Sequence, residues 1–72
     1  MSEVIMQKIK SSQISEIGYD VSNEILYVTF ITGSKYMYKN VPIDVYDGMV
    51  ASESAGSYFN RNIRNIYEYQ KL

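Results

Sequence analysis

Between Glu24 and Asn40 apolar and polar side chains alternate on either side of one glycine, Gly33, and this constrains the fold more than any other feature of the chain. The runs Ile25-Leu26-Tyr27-Val28-Thr29-Phe30 and Lys35-Tyr36-Met37-Tyr38 carry the two-residue period of half-buried strands, which predicts a β-hairpin. Its register follows from the lysines. A two-residue turn at Thr32-Gly33 would set Leu26, Val28 and Phe30 opposite Lys39, Met37 and Lys35, with two lysines on the most apolar face. A three-residue loop, Ile31-Thr32-Gly33, with Gly33 in the left-handed conformation of a bulge, pairs Leu26 with Tyr38 and Val28 with Tyr36 instead. That register gathers all four, with Phe30, on one face, and it is the one predicted.

Upstream, Ile17-Gly18-Tyr19 followed by the polar stretch Asp20 to Glu24 predicts a strand leading through a turn into the hairpin. Val4 to Lys10 is a candidate further strand at the edge, and Ser11 and Ser12 are expected to cap a short helical turn, Gln13 to Glu16. After the hairpin the period changes. Val41, Val45 and Met49 recur every four residues, with Tyr46 and Val50 beside them, as on one face of a helix that has Pro42 near its start. A second helix is expected from Ser54 as N-cap to about Ile63, with Phe59 and Ile63 on one side. The fold class is therefore α+β: a three- to four-stranded antiparallel meander sheet followed by two short helices packed on one face. Residues 1–10 form an N-terminal segment and 11–72 a single domain.

A chain of 72 residues buries only about 60% of the surface it would expose unfolded, and with no cysteine it has neither disulfides nor thiolate metal sites to compensate. Self-association is expected to supply part of the deficit, so the chain reads as a homo-oligomer. Its 46% hydrophobic and 21% charged residues exclude a disordered polar chain. No stretch approaches the roughly 20 apolar residues of a membrane span, and the start, Met1-Ser2-Glu3-Val4-Ile5-Met6, lacks a basic stretch before an apolar core. The expectation is a soluble, cytoplasmic protein with no membrane partner. Histidine and cysteine are both absent, which removes the common nucleophile and base arrangements. Asp44 and Asp47, in the first turns of a helix, suit its dipole rather than acid–base work. No enzymatic activity and no cofactor are expected.

Read in order, Ser11-Ser12-Gln13-Ile14, Ile17-Gly18-Tyr19-Asp20, Leu26-Tyr27-Val28-Thr29-Phe30 with Gly33, Tyr36-Met37-Tyr38 and Val41-Pro42 resemble the KTSC domain family. Ser54-Ala55-Gly56-Ser57-Tyr58-Phe59-Asn60, followed by Ile63-Arg64 and Tyr67, is similar to that family's second block, so the resemblance runs from about Ser11 to Tyr69. The family is named after the C-terminus of certain lysyl-tRNA synthetases and also occurs as free-standing small proteins. Its Tyr-x-Tyr mark is here Tyr36-Met37-Tyr38. The resemblance implies RNA binding as the function suggested for the family, and it assigns Ser54, Gly56, Asn60 and Arg64 to the second block.

With a net charge of -1, any polyanion would have to be met by a local patch. From Ser54 to Leu72, Arg61, Arg64 and Lys71 face Glu68 alone. Arg61 and Arg64, at i and i+3, offer forked hydrogen bonds to phosphate, with the Asn60 amide beside them. The competing reading is a solvated helix face paired with Glu53 or Glu68. Gly56 would let a helix start approach a backbone or a phosphate. Tyr36 and Tyr38 are either stacking platforms for bases or core residues packed on Leu26 and Val28, and the register favours the core. Lys35 and Lys39 fall on the opposite face, with Ile25, Tyr27 and Met37. That face needs a cover, either Val4, Ile5, Met6 and Ile9 or another subunit. The leading expectation is a non-catalytic binding protein for a phosphate-bearing ligand, RNA or a nucleotide-like small molecule, sequestered in one version at an oligomer interface. The alternative is a protein-interaction or homo-oligomeric adaptor module.

Overall fold

The hairpin forms in the register its lysines require. In the computed structural model, which describes Val4 and residues 6–72, strand β3 (Ile25–Phe30) pairs antiparallel with β4 (Lys35–Tyr38), Leu26 opposite Tyr38 and Val28 opposite Tyr36. Gly33 closes the loop at a φ of 96°, its N–H donating to the Phe30 carbonyl, while the Phe30 N–H donates to the Ser34 carbonyl. A side chain at that φ would be strained, so the glycine fixes the loop and the loop fixes the register. Met1, Ser2, Glu3 and Ile5, named above in the N-terminal segment, lie outside the described residues.

Three more strands extend the hairpin into a five-stranded antiparallel sheet of order β1-β2-β3-β4-β5 among the described residues. β1 (Gln7–Lys8) is the short edge strand expected in the N-terminal segment, and β2 (Ile14–Asp20) lies between it and β3. Ile14 and Ile17 are both fully buried although three residues apart, which a regular strand would not permit. The register shift between Ile14 and Glu16 inserts the extra residue that restores the phase. The helical turn expected over Gln13 to Glu16 is therefore not there. Ser11 Oγ does accept the N–H groups of Gln13, at 3.1 Å, and Ile14, at 3.2 Å, but the chain then runs extended. A serine satisfies backbone donors in a turn as it does at a helix start, and the apolar face of Ile14, Ile17 and Tyr19 decides in favour of the strand.

β5 (Tyr69–Lys71) is a strand the sequence reading did not anticipate. It returns after the helices to the free side of β4, Tyr69 opposite Tyr38 and Lys71 opposite Tyr36, so that the Tyr36-Met37-Tyr38 strand is interior to the sheet.

Helix α1 (Ile43–Ala51) starts behind Pro42 and buries Met49. Helix α2 (Ala55–Asn62) has Ser54 as its N-cap, the hydroxyl accepting from the Ser57 N–H, and buries Ala55, Gly56 and Phe59. Both lie over the Leu26, Val28 and Tyr38 face, where with Ile14, Ile17, Tyr19, Val41 and Ile63 they form the core. Tyr19 pins the entry to α1 by donating its hydroxyl to the Val41 carbonyl, and its ring stacks on Tyr46 with centroids 5.2 Å apart. Buried Asp20 holds the β2–β3 turn, its carboxylate accepting from the Ser22 and Asn23 N–H groups and from Asn23 Nδ2. Among the described residues no helix is long and apolar enough to cross a membrane.

The pleat divides the N-terminal segment between the two sheet faces. Gln7 opposes Ile17, so Ile9, two residues on, packs against the core rather than covering the second face as expected. Val4 and Met6 do reach the second face, where they line a cleft of about 360 Å³ with Tyr27, Thr29, Lys35 and Leu72.

Helix–helix contact depends on a missing side chain. A Cβ at Gly48 would lie 2.8 Å from Tyr58 Cζ and closer still to its hydroxyl. Gly48→Ala gains roughly 1 kcal/mol of helix propensity, yet it must displace this ring, and overpacking costs typically about 1–3 kcal/mol. We expect a net loss of about 1 kcal/mol in urea unfolding. Adding Tyr58→Ala should then cost less in the Gly48→Ala background than in the parent, and additive losses would show that the two residues do not compete for space.

Candidate functional site

Where the hairpin loop, the end of α2 and strand β5 meet, the sheet's core face opens into a cleft of about 430 Å³. Its floor and walls are aromatic. Phe30 packs edge-to-face on Tyr36 and on Phe59 with centroids 5.5 Å away in each case, and Tyr38 packs likewise on Phe59 at 5.3 Å. Tyr69 lies 5.7 Å from Tyr36 and 5.6 Å from Tyr38. This geometry suits ring quadrupoles and makes the wall stiff. Tyr38, 4% exposed, belongs to the core, and Tyr36 is half-buried against it; Tyr69, at 54%, is the accessible ring.

Polar groups rim the cleft: Gln13, Thr32, Ser34, Asn60, Asn65 and Arg64. Asn60 stands on α2, its Nδ2 donating to Gln13 Oε1 across a long 3.4 Å. Arg64 follows the helix end, which is closed by the N–H groups of Ile63 and Arg64 both donating to the Phe59 carbonyl and is anchored by fully buried Ile63. Among the described residues Arg64 is the charged residue of the lining, which includes no carboxylate. Among the described residues Arg64 makes no ion pair, so neither Glu53 nor Glu68 neutralises it. Burial, with the neighbouring Tyr69 and Tyr36, pushes the Tyr38 phenol above its ordinary range, and the positive charge of Arg64 opposes the shift.

The fold thus gathers Asn60, Arg64, Tyr36 and Tyr38 at one place. It leaves the other candidates elsewhere. Arg61 does not line the cleft with Arg64, because α2 ends at Asn62 and the expected i, i+3 relation is broken there. Ser54 caps α2, and Gly56 is buried where a Cβ would come within 3.3 Å of both Ser11 Oγ and Gln13 Oε1; its neighbours are side chains of the β2 approach. Tyr67 is half-buried against the core. Lys35 and Lys39 alternate with the core-facing tyrosines onto the second face, and Lys35 lines the cleft there. Gln13, Asn65 and Tyr69 were not among the sequence candidates. The alternation of Tyr67-Glu68-Tyr69-Gln70-Lys71 was a signal for Tyr69, whereas nothing local marks Gln13 or Asn65.

An antiparallel meander layered with two helices, opening at one corner into an aromatic cleft, defines a small α+β domain. The family model described as the KTSC domain matches residues 10–67, and the chain belongs to the KTSC domain family. A protein of Tsukamurella paurometabola is 42% identical over 55 residues, which cover 76% of this chain and 82% of that one. A lysine–tRNA ligase of Trichormus variabilis is 32% identical over 65 residues, covering 90% of this chain but 12% of the ligase. Among solved structures, the crystal structure of a KTSC domain protein from Yersinia pestis superposes with a TM-score of 0.92 at 30% identity, covering 97% of this chain and 99% of that one.

Proposed function

We propose that the protein is a non-catalytic binding domain whose aromatic cleft holds a phosphate-bearing ligand, either RNA or a nucleotide-like small molecule. The observation that carries this reading is Arg64, which among the described residues has no ion pair and stands at the rim of an aromatic cleft with no acidic lining residue. A guanidinium there offers forked hydrogen bonds to a phosphate, Asn60 adds an amide, and the exposed Tyr69 ring offers a face for a base. The relatives named lysine–tRNA ligase support the reading, since the matching segment there is carried by a protein named for tRNA.

Titration with short RNA and a panel of nucleotides, followed by backbone amide NMR, tests it. Shifts should gather at Asn60, Arg64 and Tyr69. Arg64→Gln should keep the fold, because the residue is exposed, and weaken the ligand by at least about tenfold, as expected when a charge-assisted hydrogen bond is lost. Unmoved spectra throughout would sink the proposal.

A second reading, an interaction module or homo-oligomer, is favoured by one observation. The second sheet face holds the cleft lined by Val4, Met6, Tyr27 and Leu72, with Met6 and Leu72 exposed at 36% and 59%. Cytoplasmic residence belongs with either reading.

A further inference from the structure

Resting on the phosphate-ligand reading above, we infer that the cleft takes one mononucleotide-sized ligand, its phosphate on Arg64 and an adenine-like base against Tyr69, rather than a nucleic-acid strand passing through. Three features carry this. The first is the distribution of charge. A strand gains affinity from successive phosphates, each neutralised by its own cation. Here Arg64 is the charged residue of the cleft, Lys35 and Lys39 stand on the opposite face of the sheet, and Arg61 and Lys71 lie outside the lining. Within its walls a strand therefore meets no second anchor; Lys71, opposite Tyr36 on the same sheet face, lies beyond the lining on the β5 side.

The second is size. About 430 Å³ falls within the range of roughly 300–1,000 Å³ typical of small-molecule pockets, and it is bounded by stiff aromatic walls rather than open along a groove of exposed rings. In the sheet Tyr38 is buried at 4% exposure and Tyr36 is half-buried, and Phe59 of α2 is 2% exposed, so Tyr69 is the accessible ring rather than one of a row of stacking platforms.

The third is the hydrogen-bonding character of the rim. Gln13, Asn60 and Asn65 are carboxamides, and each sets a donor beside an acceptor. That pattern matches adenine, whose amino group adjoins ring nitrogen acceptors. The Watson–Crick edge of guanine presents adjacent N–H donors, which a carboxylate accepts best, and among the described residues the lining contains none. The Asn60–Gln13 bond, at 3.4 Å, is long enough to yield to a better partner.

The experiment compares AMP, GMP, adenosine, inorganic phosphate and oligoadenylates of increasing length by calorimetry and amide NMR, at several salt concentrations. AMP should bind more tightly than GMP, adenosine or phosphate alone, and oligoadenylates should match AMP within about threefold. For the longer oligoadenylates the salt dependence should be that of one phosphate contact, a log–log slope of magnitude about 0.7. Arg64→Gln should weaken AMP by about tenfold or more while leaving adenosine nearly unchanged, and Asn60→Ser should weaken AMP more than phosphate. Affinity that climbs with oligonucleotide length, with a slope worth several phosphates, overturns this inference and leaves the phosphate-ligand reading standing. Tighter binding of GMP than AMP overturns the choice of base. No shift at Asn60, Arg64 or Tyr69 with any of these ligands defeats both readings together.

Discussion

Phe59→Ala is expected to remove most of the stability of this domain. Phe59 is 2% exposed and stands at the junction of the two layers, edge-on to Phe30 from α2 and, 5.3 Å away, to Tyr38. Removing a buried phenylalanine side chain costs about 3–5 kcal/mol, because transfer free energy is lost and a cavity remains. A chain of 72 residues has roughly 4–11 kcal/mol in all, and its small core leaves little room to collapse around the gap. Urea unfolding followed by far-UV circular dichroism should show a midpoint near zero denaturant or no folded baseline. Phe59→Leu, which conserves most of the volume, should fold and lose less than about 1.5–2 kcal/mol. An alanine variant that unfolds close to the parent midpoint would mean that the helical layer does not depend on this ring.

The other large effect is alkaline. Burial pushes the phenols of Tyr19, Tyr38 and Tyr46 above their ordinary range, helped at Tyr19 by Glu24, Asp20 and Asp47, at Tyr38 by Tyr69 and Tyr36, and at Tyr46 by Asp47. In the unfolded chain these groups release their protons near pH 10. In the folded chain they hold them to higher pH. Above about pH 10 the unfolded state therefore binds fewer protons, and stability falls as pH rises; below it the contribution is fully present. Ionised Tyr19 also loses the proton it donates to the Val41 carbonyl. The urea midpoint should be flat from neutral pH to about 9 and drop steeply beyond 10, in step with phenolate absorbance. Tyr19→Phe should be less stable at neutral pH and have a shallower alkaline limb, since one titrating group is gone. A parent midpoint still constant at about pH 11 would contradict the assignment.

What could be read from the sequence, and what could not, divides along the distance between interacting residues. The hairpin register was legible because Gly33 and the two lysines argue within one short stretch, and the N-cap at Ser54 was legible for the same local reason. Ser11 misled because its hydroxyl serves a turn and a helix start alike, and only the bulge that brings Ile14 and Ile17 to the same face distinguishes them. The cleft was half legible. Asn60 and Arg64 stood out as an amide beside an arginine pair, but Gln13, Ser34 and Tyr69 reach them from three different strands or their approaches, and no spacing records that meeting. Arg61 was drawn in by assuming that the helix continues past Asn62.

The return of β5 to the side of β4 gives the sheet one ladder whose strands are far apart in sequence. The meander from β2 to β4 closes loops of a few residues, whereas the last ladder joins Tyr36 to Lys71 and Tyr38 to Tyr69 across both helices. Closing so long a loop carries the larger entropic cost and is rewarded only once the intervening helices have packed. The cleft is thus built between strands joined by the shortest loop and a strand joined by the longest, Tyr36 and Tyr38 on one side and Tyr69 on the other. The proposed ligand, seated there, would clasp the two sides of that long-range ladder, and its occupancy should be read most sensitively in the hydrogen exchange of the β4–β5 amides.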